Sequence, residues 1–160
     1  MSDSTFNLDS WTERLARCLE LELLHWQTRL SIESLRGFAL DCHPWLENTL
    51  TLSLLTDREK FDEERRGKWA IAEWRFYDFT SAPTEAWPAA KQLMLEARGY
   101  YTRGLAAEEQ SAAHSELLRC CVLAMGSPRV AHGLSRYQLA SDFERFVGHP
   151  DSPSRNFYVS

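Results

Sequence analysis

The chain has 160 residues, 44% of them apolar and 26% charged, which is the composition of one ordinary globular domain. Its formal net charge of -5 argues against nucleic-acid binding, which needs a basic surface, and is compatible with a basic protein partner. No apolar run approaches the roughly 20 residues that span a bilayer, and the start, MSDSTFNLDS, lacks the basic and apolar stretches of a secretory signal. We therefore expect a cytoplasmic protein without membrane association. We also expect a single domain over residues 1–160, with flexible ends at 1–8 and 150–160.

The first element predicted along the chain is a long amphipathic helix over residues 10–34. Ser10 and Glu13 fit a capping box at its start. Apolar side chains then recur every three or four residues, which is the period of a helix with one buried face. This stripe consists of Trp11, Leu15, Cys18, Leu19, Leu23, Trp26 and Leu30.

Three segments between residues 36 and 81 alternate in the period-two pattern of β-strands. Gly37 opens the first, and Pro44 closes it because proline lacks a ladder donor. The aligned apolar residues are Phe38, Leu40 and Cys42 in the first segment, Leu50, Leu52 and Leu54 in the second, and Trp74 with Phe76, opposite Tyr77 with Phe79, in the third. These patterns predict an α+β fold, in which a small antiparallel sheet of three to four strands packs against three or more helices.

A strongly charged segment lies between the second and third predicted strands. Nine of the ten residues from 57 to 66 are charged, and Thr56 with Glu59 repeats the capping-box pattern. We therefore predict a short, solvated helix that ends at Gly67.

Helical patterns return in the second half of the chain. A proline-marked turn over 81–88 introduces a helix that reaches Arg98, and two glycines, at 99 and 104, indicate a bend. Another helix runs from Leu105 to Gly126, with Gly126 as its left-handed terminator. Residues 129–147 are predicted to be partly helical, with Ser141 and Glu144 starting a last short helix, and residues 156–159 form a terminal strand or a tail.

The sequence contains few groups with the spacing of a reactive site. Cys42 and His43 resemble a nucleophile and its base, but neighbours on a strand face opposite ways and cannot readily share a proton. The four cysteines, with Cys120 and Cys121 adjacent, are expected to be free, reduced thiols. The histidines and cysteines show no metal-ligand spacing, and no phosphate-binding loop is present, so we expect neither a metal nor a cofactor.

Two clusters allow more than one interpretation. The carboxylates of the charged segment alternate with basic residues, so they form either a self-paired, solvated face or a patch that binds a partner. The aromatic residues Trp69, Trp74, Phe76, Tyr77 and Phe79 occur in both registers of the third predicted strand. Either both faces of the sheet are covered, or one aromatic row is an exposed docking surface.

The order of elements and two motifs resemble bacterial proteins classed as domain of unknown function 4303. The motifs are the extended segment from Gly37 to Leu40 and a [KR]W-x-x-x-EW pattern, here Lys68, Trp69, Glu73 and Trp74. The resemblance covers about residues 10–125 and does not extend beyond Gly126. It implies a small cytosolic α+β protein without known catalytic residues, and some similar bacterial proteins are immunity proteins that neutralise a co-encoded toxin.

We therefore expect a non-enzymatic, immunity-type protein that blocks a toxin or effector domain by stoichiometric occlusion. The expected contact residues flank the predicted sheet: Trp45, Glu47, Asp57, Glu59, Asp62, Glu63 and Glu64. One alternative is a self-associating module with the aromatic strand at a homodimer interface. Another is a small enzyme that uses Asp41, His43 or the acidic cluster.

Overall fold

The structure, a computed structural model, describes residues 6–59, 63–79, 84–149, 152 and 155–158. Within these residues the α-helices are α1 (Leu8–Gln27), α2 (Glu63–Arg66), α3 (Trp87–Thr102), α4 (Ala107–Met125) and α5 (Pro128–Leu134). The strands are β1 (Ser34–Cys42), β2 (Leu50–Thr56) and β3 (Gln138–Gly148). The predicted α+β class, with three strands and more than three helices, is confirmed.

The long first helix is present but is shifted towards the N-terminus. Its cap is Asn7, whose Oδ1 accepts a hydrogen bond from Ser10 N at 2.8 Å, so the predicted capping box at Ser10 is wrong. The predicted apolar stripe is buried, and it packs α1 against α3, α4 and α5. Across this core, Trp11 Nε1 donates to the carbonyl of Leu93 at 3.1 Å, which anchors α1 to α3.

The sheet has the order β2-β1-β3 and is mixed. β1 pairs antiparallel with β2, as predicted, and parallel with β3. The expectation of a wholly antiparallel sheet is therefore wrong in its third strand. Between Leu35 and Gly37 the pairing on β3 advances from Leu139 to Glu144, so the middle of β3 bulges away from β1.

The predicted third strand around residues 74–79 does not form. It is replaced by a 3-10 turn at Ile71–Glu73 and a single bridge between Phe76 and Leu54. Asp78 has a positive φ of 49°, which interrupts extended backbone. The aromatic residues occupy both registers because they separate to opposite faces of the sheet, with Trp74 on one face and Phe79 on the other.

Both faces of β1 and β2 are covered. The predicted rows Phe38, Leu40, Cys42 and Leu50, Leu52, Leu54 face α1, α3 and α4 in the main core. On the other face, a second cluster consists of Ala39, Leu55, Ile71, Trp74 and Phe146, with Trp69 packed against it. The segment 69–79 is thus a second covering layer, and an exposed aromatic row along the strands is excluded in this part of the chain.

The second half departs from prediction at three points. Helix α3 passes through Gly99 to Thr102, so the predicted bend lies after Thr102. Gly126 ends α4 with a φ of -84°, so it is not a left-handed terminator, because the chain turns directly into α5. Residues 128–134 are helical as expected, but 138–148 form β3, so the last helix predicted from Ser141 is wrong.

The chain ends predicted to be flexible, 1–8 and 150–160, include residues that the structure places. Phe6 stacks on Tyr100 with ring centroids 4.4 Å apart. Near the other end, Asn156 accepts from Val147 N at 3.1 Å, and Phe157 N donates to the Val147 carbonyl at 2.9 Å, so residues 156–158 lie along the outer edge of β3. Residues 1–5, 150, 151, 153, 154, 159 and 160 lie outside the described residues.

Candidate functional site

A cleft of about 400 Å³ lies on the face of the sheet away from the long helices, where β1 and β3 end. Because these strands are parallel, their carboxyl ends meet at one edge, which is a common location for binding sites. The segment 69–77 closes one side of the cleft. Its lining residues are Asp41, His43, Leu46, Trp69, Ala70, Ile71, Ala72, Glu73, Tyr77, Phe146, Gly148 and His149.

Asp41 is a partly buried carboxylate in this cleft. It lies two residues before His43, which directly follows β1, and both side chains line the cleft. None of the ion pairs found among the described residues includes Asp41. Burial raises the pKa of Asp41 to about 6, because the charged carboxylate loses hydration without gaining a counter-ion.

Gly148 makes room for that carboxylate. It is the register partner of Asp41 on β3, and a Cβ at this position would overlap Asp41 Oδ1. The only side chain that fits beside the Asp41 carboxylate is therefore a hydrogen atom. This explains why a glycine stands at the end of β3.

His43 is the second polar group of the cleft, with only 7% of its surface exposed. Its Nε2 lies 3.4 Å from Thr51 Oγ1, and the ring also interacts with the backbone of Asn48. Burial lowers the pKa of His43 and outweighs the opposing effect of the Asn48 backbone, so the imidazole is neutral at pH 7.

Exposed side chains lie at and beside the mouth of the cleft. Leu46 and Tyr77 line it, and Trp45 and Glu47 flank Leu46 in the turn between β1 and β2; we call these four residues the rim. Trp45 is 36% exposed, Leu46 50% and Tyr77 45%. Trp45 makes an edge-on contact with His114, with ring centroids 5.0 Å apart. Exposed tryptophan and tyrosine side chains are typical of binding hot spots.

Two further polar groups complete the cleft. Glu73 lies on the segment 69–77 and pairs with Arg66, so its charge is already partly compensated. Burial, with the nearby Asp41 and Asp78 carboxylates as secondary causes, raises the pKa of Tyr77. The Tyr77 phenol is therefore neutral at pH 7 and can donate or accept a hydrogen bond.

Cys42 faces away from the cleft, so it does not form a pair with His43, as the alternation of strand side chains predicted. It is completely buried in the main core. Interaction with Cys121 of α4 is the largest influence on its pKa, which it lowers, and His114 Nε2 contacts the backbone carbonyl of Cys42 at 3.1 Å. All four cysteines are buried and free.

The predicted contact residues do not form one patch. Trp45 and Glu47 lie in the rim before β2, whereas the others that the structure describes follow the end of β2. That strand has seven residues, which at roughly 3.3 Å per residue places the two groups about 20 Å apart. Asp62 lies outside the described residues.

The described carboxylates of the charged segment are mostly engaged within the protein. Asp57 Oδ1 accepts from Ser34 N at 3.2 Å, and Glu63 pairs with Arg36 at 2.6 Å. The side chain of Glu59 is only 4% exposed and accepts from Arg75 N at 3.0 Å, so the expectation of a wholly solvated segment is wrong at this residue. Glu64 is exposed. Self-pairing is thus observed for most of this segment.

The sequence indicates two of the cleft residues, Asp41 and His43, as candidate groups of a small enzyme. Gly148 and His149 were missed, because β3 was predicted as a helix and nothing local relates it to β1. Tyr77 was recognised as a candidate docking aromatic, but not as part of a cleft.

No group of three or more histidine, cysteine or acidic side chains among the described residues could hold a metal ion. In the same part of the chain, no helix is long and apolar enough to cross a membrane. Comparisons with protein-family models, curated proteins and solved structures found no match to this chain. The resemblance to domain of unknown function 4303 therefore stays a prediction.

Proposed function

We propose that this protein is a cytosolic, immunity-type binding protein that neutralises a toxin or effector domain by stoichiometric occlusion, and that the partner docks on the rim. The observation that carries the proposal is the exposure of Leu46 and Tyr77 in the lining of the cleft that contains Asp41, with exposed Trp45 next to Leu46 in the same turn. Aromatic anchors around a pocket are the usual source of affinity in protein interfaces.

The charge of the chain supports a basic partner. The net charge is -5, and Glu47 stands exposed in the rim while Asp41 lies uncompensated in the cleft. A basic surface would meet complementary potential at this end of the sheet, which accelerates association. At the other end of β2, the charges are largely cancelled by internal pairs such as Arg36 with Glu63.

The test is protection of cells from the protein encoded by the neighbouring reading frame. The frame is expressed alone, with the wild-type chain, and with Leu46→Asp, which places a charge in the apolar rim. We expect growth arrest from the frame alone, rescue by the wild type, and loss of rescue with Leu46→Asp. The purified pair should form a complex that saturates at one to one.

Leu123→Asp is the matched control. Leu123 is 51% exposed, against 50% for Leu46, but it lies on the outer surface of α4. This variant should rescue as well as the wild type. If the frame product is harmless or does not bind the chain, the immunity function is wrong; if both leucine variants protect equally, the rim is not the contact surface.

A second candidate is supported by one observation. Asp41 and His43 share a cleft in which burial raises the pKa of the acid to about 6 and lowers that of the base, and perturbed pairs of this kind are typical of acid–base catalysts. A catalyst would inactivate its target at molar ratios far below one. Titration of the frame product with the chain separates the two functions, because occlusion requires one equivalent.

A further inference from the structure

The cleft contains a carboxylate without a counter-ion among the described residues. Asp41 belongs to none of the ion pairs found in that part of the chain. Buried charges in folded proteins are usually paired. An unpaired carboxylate that lines a cavity therefore points to a ligand that supplies a positive charge.

What the Asp41 carboxylate lacks is a positively charged hydrogen-bond donor, because an ionised carboxylate only accepts. Glu73 adds a second acceptor to the lining of the cleft, shared with Arg66. A ligand that matches these groups carries several N–H donors and a positive charge. Of the protein side chains, arginine presents its donors as a fork that can reach more than one acceptor.

We propose that the cleft receives a basic side chain of the partner, an arginine, whose guanidinium group pairs with Asp41. This proposal rests on the proposed function for the source of the side chain, but the chemistry of the cleft stands by itself. The volume of about 400 Å³ equals that of about a dozen waters at roughly 30 Å³ each, which is ample for a guanidinium and its stem.

The surroundings of the cleft give the interaction a defined pH dependence. Besides Asp41, the titratable groups that line it are His43 directly after β1, Glu73 and Tyr77 from the covering segment, and His149 after β3. Asp78 is close enough to influence His43 and Tyr77. As pH rises through about 6, Asp41 becomes charged, which favours a bound cation.

The test needs no partner protein. Propylguanidinium chloride is titrated into the full-length, isotope-labelled chain, and the backbone amide resonances are followed by NMR. Propylurea, which has the same shape without the charge, is the control ligand. We expect propylguanidinium to bind in the millimolar range and to shift the resonances of residues 41–43 and 146–149, with propylurea at least tenfold weaker. The affinity should rise about tenfold between pH 5 and pH 7.5, as Asp41 ionises.

The variants locate the site. Asp41→Asn should weaken propylguanidinium binding at least tenfold, whereas Glu64→Gln, which removes an exposed carboxylate outside the cleft, should leave it unchanged. If Asp41→Asn does not fold, the pH series on the wild-type chain tests the same charge. Equal binding of propylurea, shifts elsewhere, or an Asp41→Asn variant that binds like the wild type would overturn the inserted arginine. The proposal that the partner docks on the rim would then still be tested independently by the Leu46→Asp rescue experiment.

Discussion

At the scale of single residues, Asp41 is the group that stability alone does not explain. A carboxylate that loses water and gains no cation costs free energy in the folded state. The Asp41 carboxylate fits only because residue 148 is a glycine, since a Cβ at Gly148 would overlap the Asp41 oxygen. A residue that destabilises the fold and is accommodated by its neighbour is typical of a binding site, where stability is given up for function.

The stability of Asp41→Asn should depend on pH in a defined way. The folded-state pKa of Asp41 is raised to about 6, so its contribution to stability is greatest below its unfolded pKa, near 4, and is lost as pH rises through 6. At pH 8 the neutral amide avoids this loss, and the variant should be more stable than the wild type by about 2 kcal/mol. Urea unfolding at pH 4 and pH 8 measures the difference, which should disappear at pH 4. A variant less stable than the wild type at pH 8 would show that the carboxylate has an internal partner.

Gly148→Ala should destabilise the protein by about 2 kcal/mol, because the added methyl group overlaps the Asp41 carboxylate and approaches Phe146. Urea unfolding of a double-mutant cycle with Asp41→Ala checks the cause. Removing the carboxylate should restore part of the lost stability. Additive effects of the two substitutions would place the clash elsewhere.

At the scale of elements, the periodicity of the sequence predicted α1, β1 and β2 correctly. The stripe of α1 and the rows of β1 and β2 are where the sequence indicated them, because each presents one apolar face to the same core. The prediction of a strand over residues 74–79 is wrong because the aromatic side chains of this segment are divided between two clusters, so their alternation does not indicate a strand. The sequence did not predict β3 because the partner of this strand, β1, lies about a hundred residues earlier in the chain. The cleft depends on that same long-range pairing, and this is why only its β1 half was predicted.

The Asn156 side chain holds the chain that follows β3 against the outer edge of this strand. Asn156 accepts from Val147 N and donates to the Arg145 carbonyl at 2.8 Å, which fastens the chain after β3 to the sheet. Asn156→Ala removes both of these bonds and the one that its Oδ1 accepts from Tyr158 N, and it should cost about 1–2 kcal/mol. Hydrogen exchange should accelerate at the amides of Val147 and Phe157, while the amides of α1 serve as the internal reference. Unchanged exchange at Val147 would mean that Asn156 does not hold this edge.

At the scale of the whole molecule, the two ends of the sheet have different roles. At the end of β2 the acidic residues pair with Arg36 and Arg75, so little uncompensated charge remains there. At the opposite end an uncompensated carboxylate lies beneath an exposed apolar rim. The expected interface is therefore centred on the rim and not on the charged segment, and it includes Trp45 and Glu47 among the contact residues that the sequence suggested.

The most direct test of this placement is a hydrogen-exchange footprint of the chain with and without the product of the neighbouring reading frame. If the partner docks on the rim, we expect slower exchange of the backbone amides at residues 43–49, 69–77 and 146–149 in the bound state, and unchanged exchange at residues 63–67. Protection confined to residues 63–67, or to the outer surface of α4, would contradict it.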